Sequence, residues 1–282
     1  MPTVPQRWPA PGKLNLFLHI TGRQADGYHH LQTVYQFFDF CDWLTFEVRN
    51  DGRVRRVGPV AGVAEEADLT VRAARLLQAH AGCRQGVDIR LEKNLPLGGG
   101  VGGGSSDAAT TLVVLNRLWR LDLPREQLMA MALQLGADVP VFVFGRAAWA
   151  EGRGERLREI DVPEPWMLLL FPPCQVSTAE LFADPQLTRD VQPIKIRDFL
   201  SGRTGNVFEA RAAARFPEIH EGLEWLRRFG DGRMSGTGAT LFLPCESRCQ
   251  GEAIAAQRPF PWPARVVKAV NRSPLWAAVE VE

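Results

Sequence analysis

Apolar positions recur every second residue over 14–20, LNLFLHI, and again over 31–38 and 43–49, so three strands are predicted in the first fifty residues. Lys13 sits at the mouth of the first. Asn50 to Val57 reads as a hairpin-like excursion. From Asp68 to His80 the spacing turns helical, with Asp68 as the opening cap and Gly82 just past the end. VDIRL at 87–91 alternates again and predicts a strand that leads into a run of glycines, Gly98 to Gly104. Beyond it Ala108, Leu112, Leu115 and Trp119, with Ala109 and Val113 alongside, repeat at helical spacing and predict a buried helix opened by Ser105, Ser106 and Asp107. Pro124 starts another helix with Leu128, Met131 and Leu135 on its apolar face, and Gly136 stops it. Ala137-Asp138-Val139-Pro140 then turns into VFVFG, an apolar strand. Composition becomes charged and turn-rich at Gly152 to Gly154, where a lobe boundary is placed. WMLLLF at 166–171 begins a new strand. Residues 174–190 read as a loop holding Phe182, 205–229 as two helices broken at Pro217, 234–243 as a glycine turn entering a strand, and 264–282 as two short strands.

The glycine run is the chemical centre of this pattern. Glycine lets main-chain N–H groups approach a ligand, and a helix start beyond it offers unpaired N–H groups at the positive end of its dipole, so the stretch is suited to a polyphosphate. A flexible linker would have polar flanks, whereas this run lies between a strand and an apolar helix. Gly98, Gly100 and Gly103 satisfy G-x-G-x-x-G, but the acidic residue at the right distance, Asp122, follows the helix beside Pro124, where no strand has room. The run ends in Ser-Ser-Asp instead of Gly-Lys-Ser/Thr, so it is not a Walker loop either.

Composition narrows the class. At 282 residues with 45% hydrophobic and 23% charged positions and a net charge of +1, the chain suits one large domain or two lobes, and no charge excess points to a nucleic-acid or membrane partner. Of 33 basic residues few are lysines: Lys13, Lys93, Lys195 and Lys268. Five scattered cysteines without a C-x-x-C predict reduced thiols in a cytoplasm, and Cys245 with Cys249 lacks the partners of a metal site. MPTVPQRWPAPGK has no apolar run of a signal peptide, and no later stretch approaches a membrane span.

Four ordered motifs together resemble those of the GHMP kinases, the galactose, homoserine, mevalonate and phosphomevalonate kinase superfamily. They are PGKLNLFLHITGRQADGYHHLQT at 11–33, LPLGGGVGGGSSDAA at 95–109, LGADVPVF at 135–142 and MSGTGATLF at 234–242, and AVNRSPL at 269–275 fits as well. The resemblance implies an α+β fold of two lobes, an ATP-binding lobe at 1–153 and a substrate lobe at 154–282 whose last strand would return to the first. It implies ATP and Mg2+ as cofactors, a small-molecule acceptor, and a monomer or loose homodimer. Lys13 would supply the cation at the moving phosphoryl group, and Asp138 would either accept the proton of the acceptor hydroxyl or orient it. The nucleotide would be held by Pro96, Leu97, Gly98, Gly99, Gly100, Val101, Gly102, Gly103, Gly104, Ser105 and Ser106, with Asp68, Leu69 and Lys93 beside it.

Within that superfamily the motifs are most similar to the branch whose acceptor is the C2 hydroxyl of a methylerythritol unit carried on cytidine diphosphate, in non-mevalonate isoprenoid precursor biosynthesis. On that resemblance Asn15, Tyr28, His29 and Phe182 would bind the acceptor, Tyr28 and Phe182 as faces around cytosine and His29 at its edge. Two positions depart from the pattern. Gly12 stands where alanine is frequent, a mild change, and Asp68 replaces an asparagine, which removes an amide donor beside the adenine. No acidic magnesium ligand is assigned, leaving the ion to ATP oxygens, water and a serine such as Ser106. The rival expectations are a mevalonate- or homoserine-type kinase, or a non-catalytic nucleotide-binding module. The latter would lack Lys13 or Asp138, and both are present.

Overall fold

The computed structural model describes residues 6–23, 29–60, 62–202 and 204–280. Two long antiparallel strands, β1 (Arg7–Arg23) and β2 (His29–Arg49), form the spine of the first lobe. They are followed by β3 (Val54–Val57), α1 (Leu69–Ala81), β4 (Gly86–Glu92), α2 (Gly103–Leu118), α3 (Arg125–Leu135), α4 (Val139–Phe144), β5 (Ala148–Gly152) and β6 (Arg156–Glu159). The second lobe contributes β7 (Trp166–Leu170), α5 (Thr178–Ala183), α6 (Ile196–Leu200), α7 (Glu209–Arg215), α8 (Pro217–Leu226), β8 (Arg233–Met234), β9 (Leu241–Cys245), α9 (Arg248–Ala256), β10 (Ala264–Val270) and α10 (Pro274–Glu280). The α+β class is as expected.

One sheet runs through both lobes in the order β3-β4-β2-β10-β7-β9-β8, with β1 on the other side of β2 and β5 and β6 beside it. The joint is β10, which pairs along its length with β7 and, at Ala269 and Val270, with Phe38 and Phe37 of β2. Helices α1 to α4 cover the first lobe's face, burying Leu77, Leu112, Leu115, Leu128 and Phe142 against Leu44, Val87 and Ile89 of the sheet. A second core gathers Leu170, Phe208, Leu223 and Leu241. Between the two lies a third, in which Leu14, Phe38, Leu95 and Val101 meet Met167, Leu169, Phe242 and Val267. That shared apolar cluster holds the lobes against each other and seats the foot of the glycine loop.

Several sequence expectations change. The two strands at 31–38 and 43–49 are one, because Asp42, in the gap between them, is fully buried in the ladder with its carboxylate satisfied from outside it. Lys13 stands inside β1 and not at its mouth. Pro9 and Pro11 belong to the strand too, which is tolerated because β1 has a single strand neighbour. Opposite Gly12 the register slips, and a Cβ at Gly12 would enter the buried ring of Phe38, so the change from alanine is not mild here. β3 pairs in parallel with β4, on its far side from β2, instead of folding back as a hairpin.

The apolar run 139–144 is a helix, α4, not a strand. A short apolar run carries no periodicity that separates the two, and Pro140 in its first turn suits a helix start. The loop at 174–190 contains helix α5, capped by Ser177, and Phe182 lies on it. The tail is one strand and a helix, since Pro274 begins α10. Helix α2 begins at Gly103, ahead of the serines. We propose that the chain passes between lobes at 160–165 in place of 153–154, because residues 153–155 are the turn of a hairpin whose second strand, β6, still pairs with β5. Leu275 of α10 returns to the first lobe's core.

Candidate active site

A cleft of about 550 Å³ opens between the glycine loop, the inner ends of β1 and β2, the start of α4, and α5 with the 236–238 turn of the second lobe. The loop enters it as three main-chain anchors dictate. Lys13 N–H donates to the Val101 carbonyl (2.9 Å), Thr240 N–H to that of Gly99 (3.1 Å), and Ser106 N–H to that of Gly102 (2.8 Å). Gly100 has φ +74°, and a Cβ there would come within 2.6 Å of the Gly238 carbonyl, so the two glycine turns interlock only without side chains. Gly102, at φ +73°, caps α2, and Gly103, Gly104 and Ser105 of the first turn line the cleft. N–H groups of a first turn have no partner within their helix, so this rim is built to receive anionic oxygens.

Lys13 and Asn15, two apart on β1, project from one face. Lys13 Nζ, 3% exposed, donates to Asn15 Oδ1 (2.6 Å) and the Gly100 carbonyl (3.2 Å) and lies 3.2 Å from Asp138 Oδ2. The other Asp138 oxygen accepts the Tyr35 hydroxyl (3.1 Å). Burial, and then the Asp138 charge, push the Tyr35 phenol well above its ordinary value, so it stays a donor. Asn15 is committed inside the protein: its amide donates to Thr33 Oγ1 (3.0 Å) and its main-chain N–H to Ser235 Oγ (3.1 Å). It serves Lys13 as an anchor. Asp138 itself, at the start of α4, is about a third exposed (36%) and faces the opening.

A second charged group lies behind the loop. Lys93 bonds Asp42 and Asp107 (2.8 Å to the latter). Burial lowers the lysine's affinity for its proton, and the charges of Asp107 and Asp42 more than offset this, so its pKa rises. Burial pushes the Asp107 carboxyl up to about 8, with Asp42 adding to this against the pull of Lys93. One lysine cannot hold two carboxylates equally. Asp42 also accepts the N–H groups of Asn94 (2.6 Å) and Leu95 (2.8 Å), whereas Asp107 Oδ1 is buried with no partner, so Asp107 is the member that binds a proton. The cluster ties β2, β4 and α2 together directly beneath Gly103.

At the far end His29 stacks on Phe182, ring centroids 5.0 Å apart, and Phe182 meets Phe208 edge-on (4.8 Å). Burial, with the positive Arg189 and Arg23 adding, lowers the His29 pKa, which keeps the imidazole neutral at pH 7. Its Nε2 is buried without a partner.

The family profile for the GHMP kinases N terminal domain matches residues 68–146, and that for the GHMP kinases C terminal matches 180–264. A protein of Nitrosococcus oceani named 4-diphosphocytidyl-2-C-methyl-D-erythritol kinase is 51% identical over 97% of this chain and 98% of its own length. The chain belongs to the GHMP kinases. It is therefore a small-molecule kinase, and members of this family take ATP as phosphate donor. A Methylococcus capsulatus protein of the same name is 53% identical over 97% of this chain and 94% of its own. A crystal structure of 4-(cytidine 5'-diphospho)-2C-methyl-D-erythritol kinase superposes with a TM-score of 0.80 at 33% identity, covering 94% of this chain and 99% of that one. A homoserine kinase from Cytophaga hutchinsonii (TM-score 0.70, 16% identity, covering 95% of each chain) shares the GHMP fold.

Against this geometry, Lys13, Asn15, Leu69, Lys93, Pro96, Leu97, Gly98, Gly99, Gly100, Gly102, Gly103, Gly104, Ser105, Asp138 and Phe182 all line the cleft. Three do not. Val101 is buried and lends only its carbonyl, and Ser106 is wholly buried with an unpartnered hydroxyl. Asp68 is withdrawn: its carboxylate pairs with Arg56 (2.6 Å) and caps α1 at Thr70 N–H (2.8 Å), so the lost amide donor has become part of a buried ion pair. Tyr28 lies outside the described residues. Sequence reasoning missed Tyr35, Asp42 and Asp107. Tyr35 sits in an ordinary strand pattern, Asp42 falls between two predicted strands, and Asp107 reads as a cap. The mismatch of a charged residue at a buried helix position, Asp107 among Ser106, Ala108 and Ala109, was the available signal.

Proposed function

We propose that this chain phosphorylates the C2 hydroxyl of 4-diphosphocytidyl-2-C-methyl-D-erythritol with ATP, giving the 2-phosphate, in the cytoplasm. The observation that carries the chemistry is the contact of Lys13 with Asp138 beside the glycine cradle. The choice of acceptor is supported by relatives of that name at about half identity over nearly the whole chain. Phosphoryl transfer asks mainly for positioning and charge stabilisation. First-turn N–H groups of α2 and the loop hold the β and γ phosphates, and Lys13 faces the moving group. Each Asp138 oxygen already accepts one hydrogen bond and keeps a further lone pair for the acceptor hydroxyl. The cytosine takes the face of Phe182 that His29 covers, and the neutral His29 turns its free ring nitrogen to the base edge.

Magnesium fits as an ion carried by the nucleotide. Among the described residues no cluster of three histidine, cysteine or carboxylate groups exists to hold it, and Mg2+ characteristically keeps waters and phosphate oxygens with one or two protein ligands. Ser105 and Asp138 are the oxygen donors on the cleft wall that would complete its shell, while Ser106 is too deeply buried as it stands. The ion would neutralise charge on the transferring phosphate. The test is ADP release measured against a panel of alcohols. Turnover is expected with the cytidine diphosphate acceptor, poor use of its uridine counterpart, and none with mevalonate or homoserine. Comparable kcat/KM for mevalonate or homoserine would reject the assignment.

A further inference from the structure

We propose that Arg189 positions the acceptor's base by clasping the end of α5, so that Phe182 holds still while the base enters, a role that rests on the acceptor proposed above. His29 and Phe182 are stacked with ring centroids 5.0 Å apart. A base between them makes two ring contacts of about 3.5 Å each, more than this gap holds, so the pair must part and one ring must give way. Phe182 is the ring with a backing. It meets Phe208 edge-on at 4.8 Å, and Phe208 is fully buried.

A backing ring fixes nothing unless the main chain beneath Phe182 is fixed as well, and α5 is too short to do this by itself. It spans six residues; a helix of that length is not stable alone, and its last carbonyls have no partner within it. Arg189 supplies the partner. Its Nη2 donates to the carbonyls of Phe182 (2.8 Å) and Asp184 (2.7 Å), and its Nη1 to that of Leu187 (3.1 Å). A planar guanidinium offers its donors in a rigid fork, which suits several carbonyls of one turn, and a cation at a helix C-terminus is favoured by the dipole. The clasp is also joined to the strands that carry His29. Val191 N–H donates to the Ile20 carbonyl of β1 (3.0 Å), and Ile20 pairs with Leu31 of β2. After burial, the Arg189 charge is the next cause that lowers the His29 pKa, ahead of Arg23, so the same guanidinium lies near the imidazole. Arg189 is not one of the residues lining the cleft, and therefore acts through Phe182.

Steady-state kinetics of the full chain with Arg189→Met, Phe182→Ala and the double variant test this, varying acceptor at saturating ATP and then the reverse. Arg189→Met should raise the acceptor KM about tenfold, toward the lower end of what one stacking contact is worth, with the ATP KM and the kcat at saturating acceptor unchanged. In the Phe182→Ala background the same change should add less than about twofold, because residues that act through one another are not additive. Calorimetry with cytidine 5'-diphosphate, the ATP site filled by ADP, should show the same weakening. If Arg189→Met melts below the assay temperature, Arg189→Gln, which keeps an amide donor, takes its place and should show a smaller rise in the acceptor KM. An unaltered acceptor KM in the folded variant, equal rises in both KM values, or full additivity with Phe182→Ala overturns the role of Arg189 alone. Wild-type protein that ignores the acceptor fails the acceptor assignment before any variant is compared.

Discussion

Asp138 depends on the residues that hold it. Lys13 and Tyr35 each bind one of its oxygens, so Asp138→Asn keeps the size of the group but loses the ion pair and the ability to take a proton. Turnover should fall roughly 10²- to 10⁴-fold with ATP affinity nearly unchanged, measured as kcat and nucleotide Kd on the same folded preparation. Lys13→Met should also slow turnover, whereas wild-type rates would remove either residue from the mechanism. Asp107 makes a prediction about pH. Its carboxyl is raised to about 8 in the folded chain against about 3.9 when unfolded. Below pH 4 both states hold the proton. As pH climbs toward 8 the unfolded chain releases it first, so stability falls through that window and levels off above it. Asp107→Asn, a copy of the neutral acid, should flatten the decline, giving a Tm advantage over wild type that grows from pH 5 to pH 8. Parallel Tm profiles would show that Asp107 does not carry the proton.

Among the elements, the glycine loop and α2 act as one unit whose foot is buried. Sequence alone suggests that a side chain at Gly102 would block phosphate and leave folding intact. In the fold a Cβ at Gly102 meets the Phe142 ring at 2.9 Å and Lys13 Cε at 3.3 Å, at a φ that disfavours any side chain. Gly102→Val should therefore lose both ATP affinity and stability. Gly104→Ala is the control, because its Cβ finds only Leu69 Cδ1 at an ordinary 3.6 Å. It should fold as wild type does and bind ATP with little loss, as read by calorimetry and thermal melting. The same neighbourhood explains why Asp68 is no substitute for an amide. Its pairing with Arg56 is buried on both sides, and removing one partner of such a pair typically costs about 3–5 kcal/mol.

At the scale of the whole molecule the lobes are not independent. Strand β10 joins the two halves of the one sheet, and α10 returns to the first core, where Leu275 is 1% exposed. Leu275→Ala should cost about 2–5 kcal/mol in urea unfolding although it lies only seven positions before Glu282. A cost under about 0.5 kcal/mol, the range of surface changes, would show the helix to be dispensable. Among the described residues no helix is long and apolar enough to cross a membrane.

What the sequence determined by itself was whatever depends on neighbours in the chain. The caps of α1 at Asp68 and Gly82, the buried face of α2, the break at Pro217 and the glycine turns are local consequences of backbone freedom and spacing. So is the run of glycines that lines the cleft. Tertiary structure alone decided where charge is paired. Asp42 and Asp107 lie 65 positions apart and meet at Lys93, and Tyr35 reaches Asp138 across 103 residues. A buried carboxylate reads as a gap between strands or a cap until its cation is known, because its burial is tolerable only with that partner. The run 139–144 became a helix for a related reason. Six apolar residues suit either structure, and only packing against Phe37 and α2 chooses between them.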